Sequence, residues 1–265
     1  MRDYLVFFRA GPGSLHRRLL AEDPGRNWDC CVSWYCAPPE ERGAEFYASG
    51  GDNKFEAFAA FYRETAASRP YRYYLVVDDD ILFAPGDISR LFALCETHRT
   101  TLCQPALRWG TWASHDVTLW NPLCTLRRTS FVEVMAPCFS AAAAAELLDT
   151  FTLSRSTWGI DYAWASRLRG QDRIAVIDAI RVDHTKPVDT RGGAFYRKLE
   201  GMGIDARAEY GAIKREYPPF GALRTLASGH ALAWPCIPRL LQPGLVRAME
   251  SVKKRLHRLR RRAPA

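Results

Sequence analysis

The sequence predicts an α/β protein: a mostly parallel, doubly wound sheet with helices on both faces, followed by a basic C-terminal helical tail. Three observations carry this. Segments of strand length and of helix length alternate over residues 1–220. One run, Tyr73-Tyr74-Leu75-Val76-Val77, is aromatic and aliphatic throughout, as a strand covered on both faces must be. Beyond residue 221 prolines and then a basic helical pattern replace the alternation.

In chain order, 3–9 reads as a first strand. The loop Ala10-Gly11-Pro12-Gly13-Ser14 and a short helix through Leu20 follow. Residues 28–35 read as a second strand, stopped by Pro38-Pro39. After Gly50-Gly51-Asp52-Asn53 comes a helix, with Phe55, Phe58, Ala59 and Tyr62 on one face at the 3.6-residue period. The Tyr73–Val77 strand runs straight into Asp78-Asp79-Asp80, and Pro85-Gly86-Asp87 opens a helix through Cys95. Strands are expected over 102–106, 131–135 and 174–182, and helices over 141–151 and 161–168.

A net charge of +8 suggests nucleic acid until it is located. Between Arg239 and Arg262 stand nine Lys or Arg and one acid, Glu250, so the tail carries the whole excess and the remainder is balanced. Nucleic acid is therefore not an expected partner. The five-residue apolar run at Tyr4–Phe8 is too short for a signal peptide, and no stretch reaches the length of a membrane span, so a cytoplasmic setting is expected. Eight cysteines are present, none in a C-x-x-C pair. They read as reduced core thiols, with Cys30, Cys31 and Cys36 the one group close enough in sequence to suggest more.

The acidic triplet is the sharpest chemical signal. Ligands of open α/β sheets bind beyond the carboxyl ends of strands. Three carboxylates there repel one another, and a divalent cation removes that repulsion; their oxygens suit Mg²⁺ or Mn²⁺. A turn or helix cap with surplus acids is the plainer alternative. His184 also follows a strand and is placed to meet Asp80 across the sheet top. Asp161 opens a helix, the usual place for a cap, but it stands between Trp158 and Trp164. Trp109, Trp112 and Trp120 crowd the irregular segment 107–122, which also holds His115. They suit either a cleft for a sugar or the core.

Several of these stretches resemble an uncharacterised family whose plant members are labelled "lysine-ketoglutarate reductase trans-splicing related". They are Lys54-Phe55, Tyr74–Asp80, Gln104-Pro105-Ala106-Leu107, Phe131–Ser140, Trp158-Gly159-Ile160-Asp161, and Val176-Ile177-Asp178 followed by His184. That family looks like a GT-A glycosyltransferase fold. The match covers roughly residues 1–200; the change of pattern at Gly221 divides the chain into an expected catalytic domain over 1–220 and, over 221–265, a Pro-containing linker with a basic amphipathic helix. The resemblance implies Asp80, His184 and Asp78 as ligands of Mn²⁺ or Mg²⁺, and Asp161 as the catalytic carboxylate of an inverting transfer. Arg9, Gly11, Ser14, Lys54, Asp78 and Asp79 would meet a nucleotide-sugar donor. Trp158, Gly159, Trp112 and His115 would meet a glycan or lipid-linked acceptor. Plant members carry Glu at the middle acidic position, which makes Asp79 dispensable.

In the tail, Leu245, Met249, Val252, Leu256 and Leu259 form one stripe opposite Lys253, Lys254, Arg255, Arg258 and Arg262. This suits a helix lying on an anionic membrane surface at the inner face of the cell membrane. Docking on the catalytic domain and a solvated tail are the other readings. Arginine outnumbers lysine 31 to 6, as in GC-rich bacterial genomes, where surface polysaccharide synthesis would be the setting. A metal-dependent phosphoester hydrolase, a nucleotidyltransferase, or a non-catalytic membrane-associated glycan-binding protein would use the same residues differently.

Overall fold

The first strand, β1 (Tyr4–Ala10), is buried along its whole length, because it lies inside a sheet that is covered twice. The computed structural model describes residues 2–35, 43–169, 173–186, 194–219, 223–226, 231–232 and 242–262. After β1 come α1 (His16–Ala21), β2 (Trp28–Trp34), β3 (Phe46–Ala48), α2 (Lys54–Thr65), β4 (Tyr73–Asp78), β5 (Ile81–Leu82) and α3 (Asp87–His98). Then follow β6 (Leu102–Leu107), β7 (Cys124–Arg128), β8 (Cys138–Ser140), α4 (Ala141–Glu146), α5 (Ile160–Arg167) and β9 (Ile174–His184). The last elements are α6 (Ala194–Gly201), α7 (Ala206–Glu216), β10 (Ala231–Leu232) and α8 (Gln242–Arg262).

The strand order is β10-β7-β9-β6-β8-β4-β1-β2-β3, with β5 paired to β9 off this path. The β1–β2, β1–β4, β2–β3 and β6–β9 pairs are parallel. Strand β8 runs against both β4 and β6, so those two point the same way and the sheet as a whole is mostly parallel. Successive side chains of a strand face opposite sides, and two cores result. Tyr4, Val6 and Phe8 pack with Leu19 of α1 and Leu91 and Phe92 of α3. Leu5 and Phe7 pack on the other side with Phe55 and Phe58 of α2, Ala144 of α4 and Trp164 of α5. Helices therefore cover both faces, as a doubly wound fold requires.

Local chemistry sets the helix starts. Asn53 accepts from the backbone N–H groups of Phe55 and Glu56, and Ser140 accepts from Ala143; such caps contribute about 1 kcal/mol each. Two expectations are corrected. Residues 131–135 form no strand: Lys54 Nζ bonds the carbonyls of Val134 and Met135, and the Gln104 side chain takes the N–H of Glu133. With its backbone so engaged, this segment cannot join a ladder, and β7 lies upstream instead. The helix expected over 141–151 breaks after Glu146, and Leu148–Thr152 continue as a 3-10 turn.

Cys30 and Cys31 point into opposite cores, and Cys36 lies outside the described residues. The thiols that do gather are Cys95, Cys103 and Cys138, buried, with Sγ–Sγ separations of 3.4 and 3.8 Å. Among the described residues no helix is long and apolar enough to cross a membrane.

Beyond residue 220, β10 pairs with β7 at the sheet edge. Helix α8 reaches the sheet through one ion-pair network. Arg127 of β7, fully buried, bonds Asp178 of β9 through Nε and Nη2 at 2.7 and 3.0 Å, and Glu250 of α8 through Nη1 at 3.1 Å. Its other donors meet the carbonyls of Val117 and Leu119 and the Thr225 hydroxyl. Removing one partner of such a network strands the other charges in the interior. Arg127→Ala should therefore lower stability by about 3–5 kcal/mol, read as a shift of the urea unfolding midpoint; a loss under about 1 kcal/mol would mean that water reaches the site.

Candidate functional site

Parallel strands β1, β2, β4 and β9 bring their carboxyl ends to one rim. In register, Arg9 stands beside Ser33 on one side and Asp78 on the other. The chain turns through Asp79 and Asp80 into β5, where Ile81 lies opposite His184. The Thr185 N–H and hydroxyl both bond the Asp80 carbonyl, at 3.0 and 2.8 Å. This grip fixes where the third acid and the late histidine meet.

Asp80 Oδ2 lies 3.3 Å from His184 Nε2. The other ring nitrogen, Nδ1, is 3.0 Å from the Trp112 carbonyl, an acceptor only, so Nδ1 carries a proton and Nε2 is the nitrogen turned to the carboxylate. Thr111 holds the histidine backbone from both sides, donating to its carbonyl and accepting from its N–H. Burial raises the Asp80 carboxyl, but the His184 imidazole outweighs it and holds the group below its ordinary value. Burial likewise disfavours protonated His184, and the Asp80 carboxylate reverses this and raises it. A positive charge is wanted between these two atoms. A divalent cation fits: two donors each about 2.1 Å from one ion, at adjacent positions of an octahedron, lie about 3 Å apart.

Asp78 serves a different contact. Its Oδ1 pairs with Lys54 Nζ at 2.7 Å, and that ammonium also donates to the carbonyls of Val134 and Met135 at 2.6 and 3.2 Å. Lys54 is 5% exposed, with all three of its protons engaged. It was expected to meet the donor; it holds Asp78 instead. Among the described residues, the three His, Cys or acidic side chains whose ligand atoms all lie within 4.8 Å of one another are Cys95, Cys103 and Cys138. Asp78, Asp80 and His184 do not close to that spacing, so of the three expected ligands only Asp80 and His184 are turned to a common point.

On the β1 side, Arg9 Nη1 donates to the Ser33 hydroxyl and the Gly50 carbonyl, both at 2.8 Å, and Nη2 to the Gly51 carbonyl at 2.6 Å. The Tyr35 ring crosses Gly11 so closely that a Cβ there would fall 1.9 Å from it; only glycine fits. Tyr35 then donates to Asp79 Oδ2 at 3.1 Å, Lys186 pairs with Asp79 Oδ1 at 3.2 Å, and the Asp79 carbonyl accepts from Leu15 N–H. Ser14 Oγ bonds His16 Nδ1 at 2.7 Å. Gly11, Ser14 and Asp79 thus line one stretch of rim, to which Tyr35 and Lys186 belong as well. Sequence reasoning missed both; the end of a strand was the available signal for Tyr35.

A second constellation surrounds Asp161, in the first turn of α5. The turn before it needs Gly159, whose φ is +88° and whose missing Cβ would crowd Ile213 at 3.2 Å. Asp161 is buried and accepts from the Tyr162 N–H at 3.1 Å. Burial pushes its carboxyl up to about 7, with His115 pulling it down and Glu133 adding to the rise. His115 stacks by Phe131 with its Nδ1 3.3 Å from Glu133 Oε1, and its own N–H donates to that oxygen at 2.9 Å. Glu133 was not anticipated, although an acid inside the apolar run 131–135 was a visible signal. Trp158 packs edge-on to Tyr210, and Trp112 is 53% exposed. Trp164 belongs to the core, its indole N–H bonded to Thr150, and does not flank the site as expected. The short run Thr111–His115 links both constellations, since Thr111 and Trp112 hold His184 while His115 meets Glu133.

The Asp161 proton is held more tightly in the folded protein than in the unfolded chain, so its contribution to stability falls as pH rises from the ordinary carboxyl range, about 4, to about 7. Asp161→Asn carries no charge to bury. It should be more stable than wild type near about pH 8, on the order of 1–4 kcal/mol, with the gap shrinking toward about pH 4. A gap independent of pH in thermal melts would show that Asp161 does not ionise in a buried setting.

No protein-family model matches the chain, and no curated protein matches it. Among solved structures it is similar to GalNAc-T7, solved with UDP, GalNAc and Mn²⁺, at 13% identity and a TM-score of 0.47, covering 84% of this chain and 52% of that one. It is similar to S. aureus TarS at 9% identity and a TM-score of 0.47, covering 82% and 44%, and to TarS 1-349 at 10% and 0.46, covering 94% and 79%. The chain thus spans about half the length of the first structures it resembles. At these values the chemistry has to be read from the side chains described above.

Proposed function

We propose that the chain is a metal-dependent glycosyltransferase of the GT-A type, moving a sugar from a nucleotide-sugar donor to a glycan or lipid-linked acceptor with inversion. The observation that carries this reading is the Asp80–His184 pair at the sheet rim: an oxygen and an imidazole nitrogen turned to one point, with the histidine tautomer set by the Trp112 carbonyl. When bound there, Mn²⁺ or Mg²⁺ supplies positive charge against the diphosphate that leaves the sugar. Asp78, kept in place by Lys54, presents its half-buried carboxylate beside that point. Arg9 steadies the Gly50-Gly51 turn, and with Gly11, Ser14 and Asp79 it shapes the rim where the nucleotide lies.

Asp161 takes the proton of the attacking acceptor hydroxyl. A base must be ionised to work yet basic enough to accept a proton, and a carboxyl near about 7 meets both needs close to neutrality. Trp158 and Trp112 offer apolar faces to the acceptor sugar, and Gly159 gives the chain the turn that aims Asp161. Bacterial surface polysaccharide synthesis, at the cytoplasmic face of a membrane, is the setting this reading favours.

A thermal-shift panel of nucleoside diphosphates with and without Mn²⁺ tests the reading, because a ligand that binds only the folded state stabilises it, by about 2.7 kcal/mol at a hundredfold excess over Kd. One nucleotide should stabilise wild type only with metal, and Asp80→Asn and His184→Ala should each abolish that gain; a panel with no metal-dependent response sinks the proposal. Asp161→Asn should retain nucleotide binding and lose at least about 10²-fold in kcat. The wild-type rate should climb with pH to a plateau above about 7 as the base ionises. Cleavage of phosphoesters without any acceptor would favour a hydrolase.

A further inference from the structure

Helix α8 shows two faces of opposite character. One is turned inward: Val246 and Lys253 are buried, and Glu250 Oε1 accepts from Arg127 Nη1 at 3.1 Å, Asn121 Nδ2 at 3.0 Å and Lys253 Nζ at 2.9 Å. These three positions follow a spacing of four and three, one stripe of a helix. About 100° around the axis, Leu245, Val252 and Leu256 stand 41%, 47% and 45% exposed. Their spacing of seven and four makes a second stripe. Together they are three of the eight large hydrophobic side chains exposed among the described residues. Docking accounts for the first face and leaves the second uncovered.

Charge identifies what covers it. By sequence, Gln242–Arg262 hold eight Lys or Arg and one acid. That acid, Glu250, and one of the cations, Lys253, are consumed in the inward contact. What remains is an apolar stripe on a helix segment with seven cations and no carboxylate. An acidic protein groove or a nucleic acid would satisfy the charge. A surface that is both apolar just below and anionic at its face satisfies the charge and the stripe together.

We propose that α8 seats the protein on an anionic lipid surface, with Leu245, Val252 and Leu256 entering the bilayer boundary while Glu250 keeps the helix fastened to the sheet. The lipid surface would thus be met by a fixed face of the folded domain and not by a loose tail. The inference bears on the proposed transfer by favouring a lipid-linked acceptor, but its test does not require that chemistry.

The experiment is cosedimentation of the full chain with vesicles of phosphatidylglycerol and phosphatidylcholine, against vesicles of phosphatidylcholine alone. Wild type should pellet with the anionic vesicles only and release as salt is raised. The triple variant Leu245→Ser, Val252→Ser, Leu256→Ser changes only exposed side chains; it should keep the wild-type melting temperature and lose vesicle affinity at least tenfold. Undiminished binding by that variant would reduce the contact to charge alone and overturn the seating. Absence of wild-type binding, or a concentration-dependent dimer that the triple variant abolishes, would overturn it as well. Metal-dependent nucleotide stabilisation, measured on the same samples without vesicles, separates this outcome from failure of the proposed transfer. A protein that still binds nucleotide but ignores lipid refutes the lipid contact alone.

Discussion

The pairing of β5 with the end of β9 is the constraint on which the site depends. Ile81 and Leu82 are a strand of only two residues, yet they carry the acidic turn onto the last residues of a strand of eleven. Thr185 closes the junction with two bonds to one carbonyl. Were the register to slip by a single residue, every side chain of β5 would change face, and Asp80 would turn away from the imidazole. The approach of Asp80 to His184 is therefore set by the strand pairing and by the two bonds from Thr185.

Around that junction the molecule separates roles that look alike in sequence. Three consecutive aspartates have different partners: a buried lysine for Asp78, a tyrosine and a surface lysine for Asp79, a histidine for Asp80. Asp161, far along the chain, has no cation bonded to it in the manner of Asp78, and burial is the main force that pushes its carboxyl up to about 7. The imidazole beside Asp80 holds that carboxyl below its ordinary value, whereas burial makes Asp161 hold its proton more tightly, to about 7, where it can both take and give one near neutrality.

The alternation of strand and helix was legible because each element carries its own periodicity. So was the meeting of Asp80 with His184, since one follows β4 and the other ends β9 at the same rim. The sequence reading failed where tertiary contacts override local pattern. Residues 131–135 have the apolar content of a strand, but Lys54 and Gln104 occupy their backbone groups. A lysine opening a helix suggests either a solvated cation or a second charge for the donor's diphosphate, and nothing local reveals that three protein oxygens await Lys54. Trp164 looked like an aromatic flank of Asp161 beside Trp158, but α5 turns Trp164 into the core while Trp158, in the turn before it, packs on Tyr210. The cysteines nearest in sequence, Cys30 and Cys31, face away from each other, as adjacent strand residues must, while Cys95, Cys103 and Cys138 come together from three separate elements.

The Arg127 cluster also alters what the end of the chain means for the rest of it. A polypeptide shortened before Gln242 would not merely shed an accessory helix. It would leave the buried guanidinium of β7 without the carboxylate of Glu250, and would remove the acceptor that the Asn121 side chain bonds. The damage would begin inside the α/β sheet, so misfolding and precipitation of a trimmed protein would speak of a broken interior and not of a missing lipid contact.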